Sequence, residues 1–344
     1  MTSLEVVRTC RKPDCKVTLS GTCAEGHQPA ESCPNFGLGA DAAPDEDSGV
    51  GAGQRVEALD LPNGEALSIE SVDRFLRWRA ARFITIVGEK DSGKTTLLCS
   101  LYDRFLKGVF AGFRFAESWT LMGFERRCHY SRVVSGLSSP DTAHTSIQDG
   151  VQFLHLGVAR LQNSERCDLM FADRAGETYA AIRTKPDSAR TLVELSKSDR
   201  LVLLVDGARV AEPSERAGAL QSVRQTLRAL IQEGLAGAHL AVQVVTYKLD
   251  LIYVSPKRTA IERHLGEFRE QMTETFAGAL NELSFWETAA RPPQRSLEPA
   301  FGVGPLLDHW TSTTTTGVAV KHPAVDLTTE YDRLLLRPAG SVLP

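Results

Sequence analysis

Apolar segments of strand length alternate with amphipathic segments through most of the chain. The apolar segments are FITIVG at 83–88 and those at 151–159, 167–173, 200–207, 240–246 and 283–289. Helical spacing of apolar residues occurs between the later ones, at 212–235 and 256–283. Strands that are apolar on both faces and are joined by helices predict an α/β fold with a doubly wound, mostly parallel sheet.

One pair of predicted strands is joined by a short connection and not by a helix. Segments 151–159 and 167–173 are separated only by RLQNSER, which is too short for a crossover helix. We therefore predict an antiparallel hairpin, and with it one antiparallel strand in the sheet. A helix is also predicted at 69–82, directly before the first strand.

Composition divides the chain into four parts. Residues 1–36 form a Cys-rich head that is too poor in aliphatic side chains to fold around a hydrophobic core. Residues 37–65 are predicted to be a flexible linker, because they are rich in Gly, Ala and acidic residues and lack apolar periodicity. Residues 66–315 hold the predicted sheet, and 316–344 are predicted to be a partly disordered tail.

Charge and hydropathy argue against nucleic-acid binding and against a transmembrane or secreted protein. The 344 residues carry a net charge of -4 with Lys and Arg spread along the chain, so no basic domain indicates nucleic acid. The longest apolar runs, such as 201–205, are far shorter than a transmembrane segment, and the N-terminus lacks the apolar core of a secretory signal. We therefore predict a cytoplasmic protein without disulfides.

The head contains a cluster of candidate metal ligands. Cys10, Cys15, Cys23, His27 and Cys33 lie within a short span, and Zn²⁺ bound by four of them can order a chain of this size. We favour the four cysteines, with His27 as a substitute for Cys23 or Cys33. The alternative is a disordered tail with incidental cysteines.

The segment GEKDSGKTT at 88–96 matches the pattern G-x-x-x-x-G-K-(S/T), and it follows a predicted strand and precedes a predicted helix. Such a loop binds phosphates with inward-facing backbone N–H groups at a helix N-terminus. Lys94 is expected to reach the β and γ phosphates, and the Thr95 hydroxyl to ligate Mg²⁺. The residues expected to contact the nucleotide are Gly88, Asp91, Ser92, Gly93, Lys94, Thr95 and Thr96.

A second motif, D-x-x-G, ends the predicted strand 167–173. Asp173 at the strand end can hold Mg²⁺ through water, and the Gly176 amide can bind the γ phosphate. The segment VVTYKLD at 244–250 follows later in the chain and ends in K-x-D.

The order of P-loop, hairpin strand, D-x-x-G, apolar strand and K-x-D resembles the Ras-like P-loop GTPases of the translation-factor-related (TRAFAC) class over about residues 82–310. The Cys-rich head, GTCAEGH followed by CP, looks like that of the bacterial double-GTPase families associated with conflict or defence systems. The resemblance implies that GTP or GDP is the ligand. It also implies that Lys248 lies over the base and that Asp250 accepts hydrogen bonds from guanine N1 and N2.

Several positions depart from that family or match it less clearly. Tyr247 replaces the asparagine that ties the base-reading loop to the P-loop, which predicts a weakened tether, because a hydroxyl makes one bond where an amide makes two. Thr145 is the preferred switch threonine for Mg²⁺, with Thr142 as the alternative, and Thr288-Ala289 is the candidate for the fifth, base-touching motif.

Glu177 stands where Ras-like enzymes often place a water-orienting glutamine, so intrinsic hydrolysis is expected to be slow or assisted. Arg183, Lys185 and Arg190 can supply positive charge, although a solvated basic loop is the favoured interpretation of these residues.

The sequence thus predicts a guanine-nucleotide switch that slowly hydrolyses the β–γ phosphoanhydride of GTP with Mg²⁺, in a bacterial conflict or signalling system. Its expected partner is a protein, such as another GTPase or an effector encoded nearby. The catalytic residues are predicted to be Lys94, Thr95, Asp173, Gly176 and Glu177. One alternative is an ATP-dependent ATPase or small-molecule kinase. The other is a nonhydrolysing adaptor that acts through its zinc head.

Overall fold

The computed structural model describes residues 17–23, 26–34, 36, 62–129, 150–290, 292 and 297–312. The chain forms two compact units, 1–60 and 61–344. In the first unit, helix α1 (Val17–Ser20) and a single turn of 3₁₀ helix (Ala30–Ser32) are described.

The second unit is built on a seven-stranded sheet with the strand order β2-β3-β4-β1-β5-β6-β7. The strands are β1 (Arg82–Val87), β2 (Phe113–Glu117), β3 (Gln152–Arg160), β4 (Arg166–Asp173), β5 (Arg200–Asp206), β6 (Ala241–Tyr247) and β7 (Glu282–Glu287). Its described helices are α2 (Ile69–Leu76), α3 (Lys94–Leu106), α4 (Leu121–Cys128), α5 (Gly176–Ala181), α6 (Val193–Ser196), α7 (Gly207–Ala211), α8 (Pro213–Gln232), α9 (Leu249–Tyr253), α10 (Arg258–Phe276) and α11 (Val303–Thr311).

The strand directions confirm the predicted hairpin. Strand β3 pairs antiparallel with β4 from Gln152 opposite Asp173 to Ala159 opposite Arg166. It also pairs antiparallel with β2, whereas the other pairs in the sheet are parallel. Strand β3 is therefore the one strand that runs against the rest.

Strand β2 lies at the sheet edge, and the sequence patterns did not predict it. Its sequence FRFAE has one buried residue, Phe113, and the middle of the strand is exposed. An exposed edge strand has no need of a continuous apolar run, so the feature by which the other strands were recognised is missing.

The sheet has a hydrophobic core on each face. Alternate residues of β5 face opposite ways, so Leu201 and Leu203 pack in one core while Val202 and Leu204 pack in the other. Helices α8 and α10 cover the first core, and α3 and α11 cover the second. This is the doubly wound arrangement that the alternation of apolar and amphipathic segments predicts.

Two residues at the end of the predicted linker are part of the second unit and pack within it. The Gly64 carbonyl accepts a hydrogen bond of 2.9 Å from the Gly123 N–H, and Glu65 forms an ion pair with Arg126 at 2.7 Å. The remainder of the predicted linker before residue 62 and the predicted tail at 316–344 lie outside the described residues. In the described part of the chain, no helix is both long enough and apolar enough to cross a membrane.

The parallel strands β1, β4, β5 and β6 end at the same edge of the sheet. In open α/β sheets, ligands bind in the crevice outside the carboxyl ends of the strands. The predicted phosphate loop, the D-x-x-G loop and the K-x-D loop all begin at this edge.

Candidate functional site

The phosphate loop has the predicted strand–loop–helix context. It leaves β1 after Val87 and enters α3 at Lys94. Gly93, the N-cap of α3, has φ 89°, and Asp91 has φ 57°, so the chain turns through two left-handed residues. A Cβ at Gly88 would overlap with the Ser92 hydroxyl, so the turn leaves no space for a side chain there.

Lys94 folds back over this loop. Its Nζ donates hydrogen bonds to the carbonyls of Gly88 (3.1 Å) and Glu89 (2.8 Å). Burial lowers the pKa of Lys94, and the carboxylates of Asp173 and Glu177 act in the opposite direction. The amine is thus held at the loop with acidic side chains close by.

Asp173, at the end of β4, is almost completely buried and is paired with an arginine that sequence reasoning missed. Arg127 of α4 donates from Nε to Asp173 Oδ2 at 2.7 Å. The same guanidinium donates to the Gly123 carbonyl (3.0 Å) and to Gln152 Oε1 (2.8 Å). No local motif marks Arg127, because the contact joins residues that lie far apart in the chain.

The donor set fits Mg²⁺ with a nucleotide phosphate. Thr95 lies in the first turn of α3 and offers a hydroxyl, and Asp173 offers a carboxylate; such oxygen donors are the ligands that Mg²⁺ takes beside substrate phosphates. The Ser92 hydroxyl is buried in the loop without a hydrogen-bond partner among the described residues. A ligand with phosphate oxygens would match these groups.

The D-x-x-G loop lies against the phosphate loop. Gly176 begins α5, and a Cβ there would lie 2.5 Å from the Glu89 carbonyl carbon and from the Lys90 nitrogen, so only glycine fits. Glu177 pairs with Lys90 at 3.5 Å on the surface. Its own backbone N–H and the Lys90 charge lower the pKa of Glu177.

The basic residues after Glu177 do not act as a group. Arg183 pairs with Glu89 of the phosphate loop at 2.8 Å, whereas Arg190 pairs with Glu233 at 2.6 Å. Glu89 is also paired with Arg209 of α7, which the sequence did not single out. Only Arg183 of the predicted set is thereby placed at the phosphate loop by an ion pair.

The K-x-D loop begins where β6 ends at Tyr247. Lys248 is left-handed (φ 58°, ψ 41°), and its Nζ donates to the Asp91 carbonyl (3.0 Å) and to Asp206 Oδ2 (2.9 Å). Asp206 was not among the predicted site residues, although an Asp-Gly pair at the end of β5 was a visible signal. Lys248 therefore links the K-x-D loop to both the phosphate loop and β5.

Asp250 lies in the first turn of α9 and is 7% exposed. Burial raises its pKa, against the effects of its own backbone N–H and of the Lys248 charge. The predicted fifth motif lies beside it, because the Thr288 carbonyl accepts a hydrogen bond of 3.1 Å from the Leu249 N–H. Thr288 and Ala289 are both fully buried.

The remaining predicted ligands are not brought together by the part of the chain that the structure describes. Thr142, Thr145, Cys10 and Cys15 lie outside the described residues. Cys33 is buried and Cys23 is half-buried. Among the described residues, His27 included, no group of three or more His, Cys, Asp or Glu side chains could hold a metal ion.

The Arg127–Asp173 pair provides a stability test. Replacing Arg127 with Gln leaves a buried carboxylate without its guanidinium, so the free energy of unfolding should fall by about 3 kcal/mol. The neighbouring Arg126→Gln is the matched control, because it breaks only the more exposed pair with Glu65 and should cost less than about 1 kcal/mol. Urea unfolding of both variants without nucleotide measures the difference. Equal decreases in the free energy of unfolding for the two variants would contradict a buried ion pair between Arg127 and Asp173.

No curated protein matches the chain significantly. Among solved structures, the signal recognition particle receptor SRb-GTP/SRX complex from Chaetomium thermophilum aligns at 15% identity and a TM-score of 0.38, over 68% of this chain and 97% of that one. The GTP-bound GTPase-like domain of S. cerevisiae Ski7 aligns at 13% identity and a TM-score of 0.38, over 73% of this chain and 54% of that one.

The chain also matches the sequence model of a protein family. The sequence model of the Double-GTPase 2 family matches residues 82–311, which begin with β1 and end with α11. The match thus includes the phosphate loop, the D-x-x-G loop and the K-x-D loop. The chain belongs to the Double-GTPase 2 family.

Proposed function

We propose that this protein is a guanine-nucleotide switch that binds Mg·GTP and hydrolyses it slowly. One observation carries the proposal: three loops from different strands meet at one sheet edge, and Lys248 joins two of them through the Asp91 carbonyl. Membership of a double-GTPase family supports guanine as the base.

Each residue has a defined part in this proposal. Lys94 and the backbone N–H groups of the phosphate loop bind the phosphates, and Asp250 accepts hydrogen bonds from the guanine edge. Thr95 and Asp173 would hold Mg²⁺, which neutralises charge that develops on the β and γ oxygens. Gly176 presents its amide toward the γ phosphate.

Slow turnover follows from the side chain after Gly176. Glu177 is an exposed carboxylate beside the phosphate loop, so it carries a negative charge at neutral pH. A carboxylate there is expected to repel the γ phosphate where a neutral amide would orient water. Arg183, which is held at the loop by Glu89, can offset part of this charge.

Binding of GTP and ATP by the full chain, measured side by side with Mg²⁺, tests the proposal. We expect GTP to bind at least about tenfold more tightly, because adenine leaves the Asp250 carboxylate unpaired. Equal affinities would favour the ATP-dependent alternative. Phosphate release no faster than that of a Lys94→Ala variant would favour the nonhydrolysing adaptor.

We also propose that the Cys-rich head binds Zn²⁺ and contacts a protein partner in a bacterial conflict or signalling system. The support is the clustering of Cys10, Cys15, Cys23 and Cys33 in a segment with few aliphatic residues. Zinc content of the purified full chain, compared with a Cys10→Ser, Cys15→Ser double variant, tests it. We expect about one zinc per chain in the wild type and a loss of it in the variant.

A further inference from the structure

The side chain of Tyr247 lies directly on the phosphate loop. Tyr247 is the last residue of β6 and is 4% exposed. A Cβ added at Gly93 would lie 2.7 Å from Tyr247 Cζ and closer still to Cδ1 and Cε1. The ring thus occupies the space that a side chain at Gly93 would need, one residue before Lys94.

The backbone of the K-x-D loop packs closely against Gly207, the residue that follows β5. A Cβ added at Gly207 would lie 2.8 Å from the Lys248 carbonyl oxygen and closer still to that of Tyr247. Tyr247 is therefore fixed between two glycines, with its ring against Gly93 and its carbonyl against Gly207. Close packing of this kind transmits small displacements instead of absorbing them.

Lys248 adds a polar link beside this contact. Its hydrogen bond to the Asp91 carbonyl and its ion pair with Asp206 hold the backbone that leads into α9. Asp250 follows within the first turn of that helix. The position of the Asp250 carboxylate relative to the phosphates thus depends on how closely the Tyr247 ring is seated on Gly93.

We propose that Tyr247 is a positioning residue for base recognition, and that the contact of its ring with Gly93 replaces the amide tether of the asparagine in the Ras-like motif that this loop resembles. The proposal rests on the proposed function, since it takes a guanine nucleotide as the ligand. It implies that restoring asparagine in this protein weakens base recognition, because an amide is too small to fill the space above Gly93.

Guanosine and inosine diphosphates distinguish positioning from general support of the fold. Inosine lacks the 2-amino group, so the ratio of GDP to IDP affinity reports how well Asp250 meets both guanine donors. We expect Tyr247→Phe, which keeps the ring on Gly93, to keep a ratio closer to that of the wild type than Tyr247→Asn does. Tyr247→Asn should weaken Mg·GDP binding at least about tenfold and bring the ratio close to about one.

Val244→Ala is the matched control. Val244 lies on the same strand, is buried, and packs in the core on the opposite face of the sheet. Its truncation should lower the melting temperature while leaving the GDP/IDP ratio unchanged. If Tyr247→Asn does not fold, Tyr247→Leu decides the matter, because it keeps apolar volume but lacks the planar ring, and it should also lower the ratio.

The outcomes separate the two proposals. Wild-type affinity and ratio in Tyr247→Asn would overturn the positioning role and leave guanine binding intact. A Tyr247→Asn or Tyr247→Leu variant that loses GDP and IDP affinity equally would also overturn it. A wild type that binds ADP as tightly as GDP would overturn the proposed function and the positioning role together.

Discussion

Replacing Lys94 with alanine is expected to weaken Mg·GTP binding at least about 100-fold, since each hydrogen bond from an ammonium to phosphate contributes about 1.5–3 kcal/mol. The acidic surroundings add to the loss. Asp173 and Glu177 lie close enough to Lys94 to oppose the effect of burial on its pKa, so loss of the ammonium removes a positive charge that offsets theirs beside the phosphates. Titration with a fluorescent GTP analogue measures the change.

Lys90→Ala is the control for this experiment. Lys90 belongs to the same loop, but its side chain is 62% exposed and is paired with Glu177 at 3.5 Å on the surface. Its removal should change the affinity less than about threefold. A Lys94→Ala variant that binds within about tenfold of wild type would show that this loop does not hold the phosphates.

Replacing Asp250 with asparagine is expected to exchange the base preference from guanine to xanthine. The carboxylate accepts from two guanine donors, N1–H and the 2-amino group, whereas an amide offers one acceptor and one donor. Xanthine presents N1–H and a carbonyl at those positions, so it matches the amide. GTP affinity should fall about 10- to 100-fold and XTP affinity should rise above it.

Asp308→Asn is the control for the base exchange. It makes the same chemical change at an exposed residue of α11 that pairs with Arg160. It should leave both affinities unchanged. An Asp250→Asn variant that keeps its preference for GTP over XTP would exclude Asp250 from base recognition.

The pH dependence of GTP binding offers a second measure of Asp250. Only the ionised carboxylate accepts both hydrogen bonds, so affinity falls as pH decreases through the pKa of Asp250. Burial raises that pKa. The loss of GTP affinity should therefore begin at a higher pH than it would for an ordinary aspartate, whose pKa is about 4. The Asp250→Asn variant should lack this component of the pH profile.

The local patterns were sufficient for the parts of the fold that depend on neighbouring residues. A short connection between two apolar segments predicted the β3–β4 hairpin, and the glycines and lysine at 88–96 predicted a strand–loop–helix phosphate site. Edge strand β2 was missed because exposure on both sides removes the apolar pattern. Periodicity reports burial, and it cannot detect a strand that is not buried.

Contacts between distant residues were beyond such patterns. Arg127 on Asp173, Asp206 under Lys248 and Arg209 on Glu89 join elements whose proximity only the folded sheet creates. Asp206 had a local signal in the Asp-Gly pair after β5, but Arg127 and Arg209 do not differ in the sequence from ordinary surface charges.

For Tyr247, one property could be predicted from the sequence and another could be seen only in the folded structure. The sequence alone determined that a K-x-D loop follows a buried strand. Because the hydroxyl of Tyr247 offers fewer hydrogen bonds than an amide, the sequence also predicted a weakened tether. The tertiary structure decided that the ring packs on Gly93, because β6 and the phosphate loop end at the same edge of the sheet. Hydrogen-bonding capacity can be counted from residue types, whereas packing depends on which surfaces the fold brings into contact.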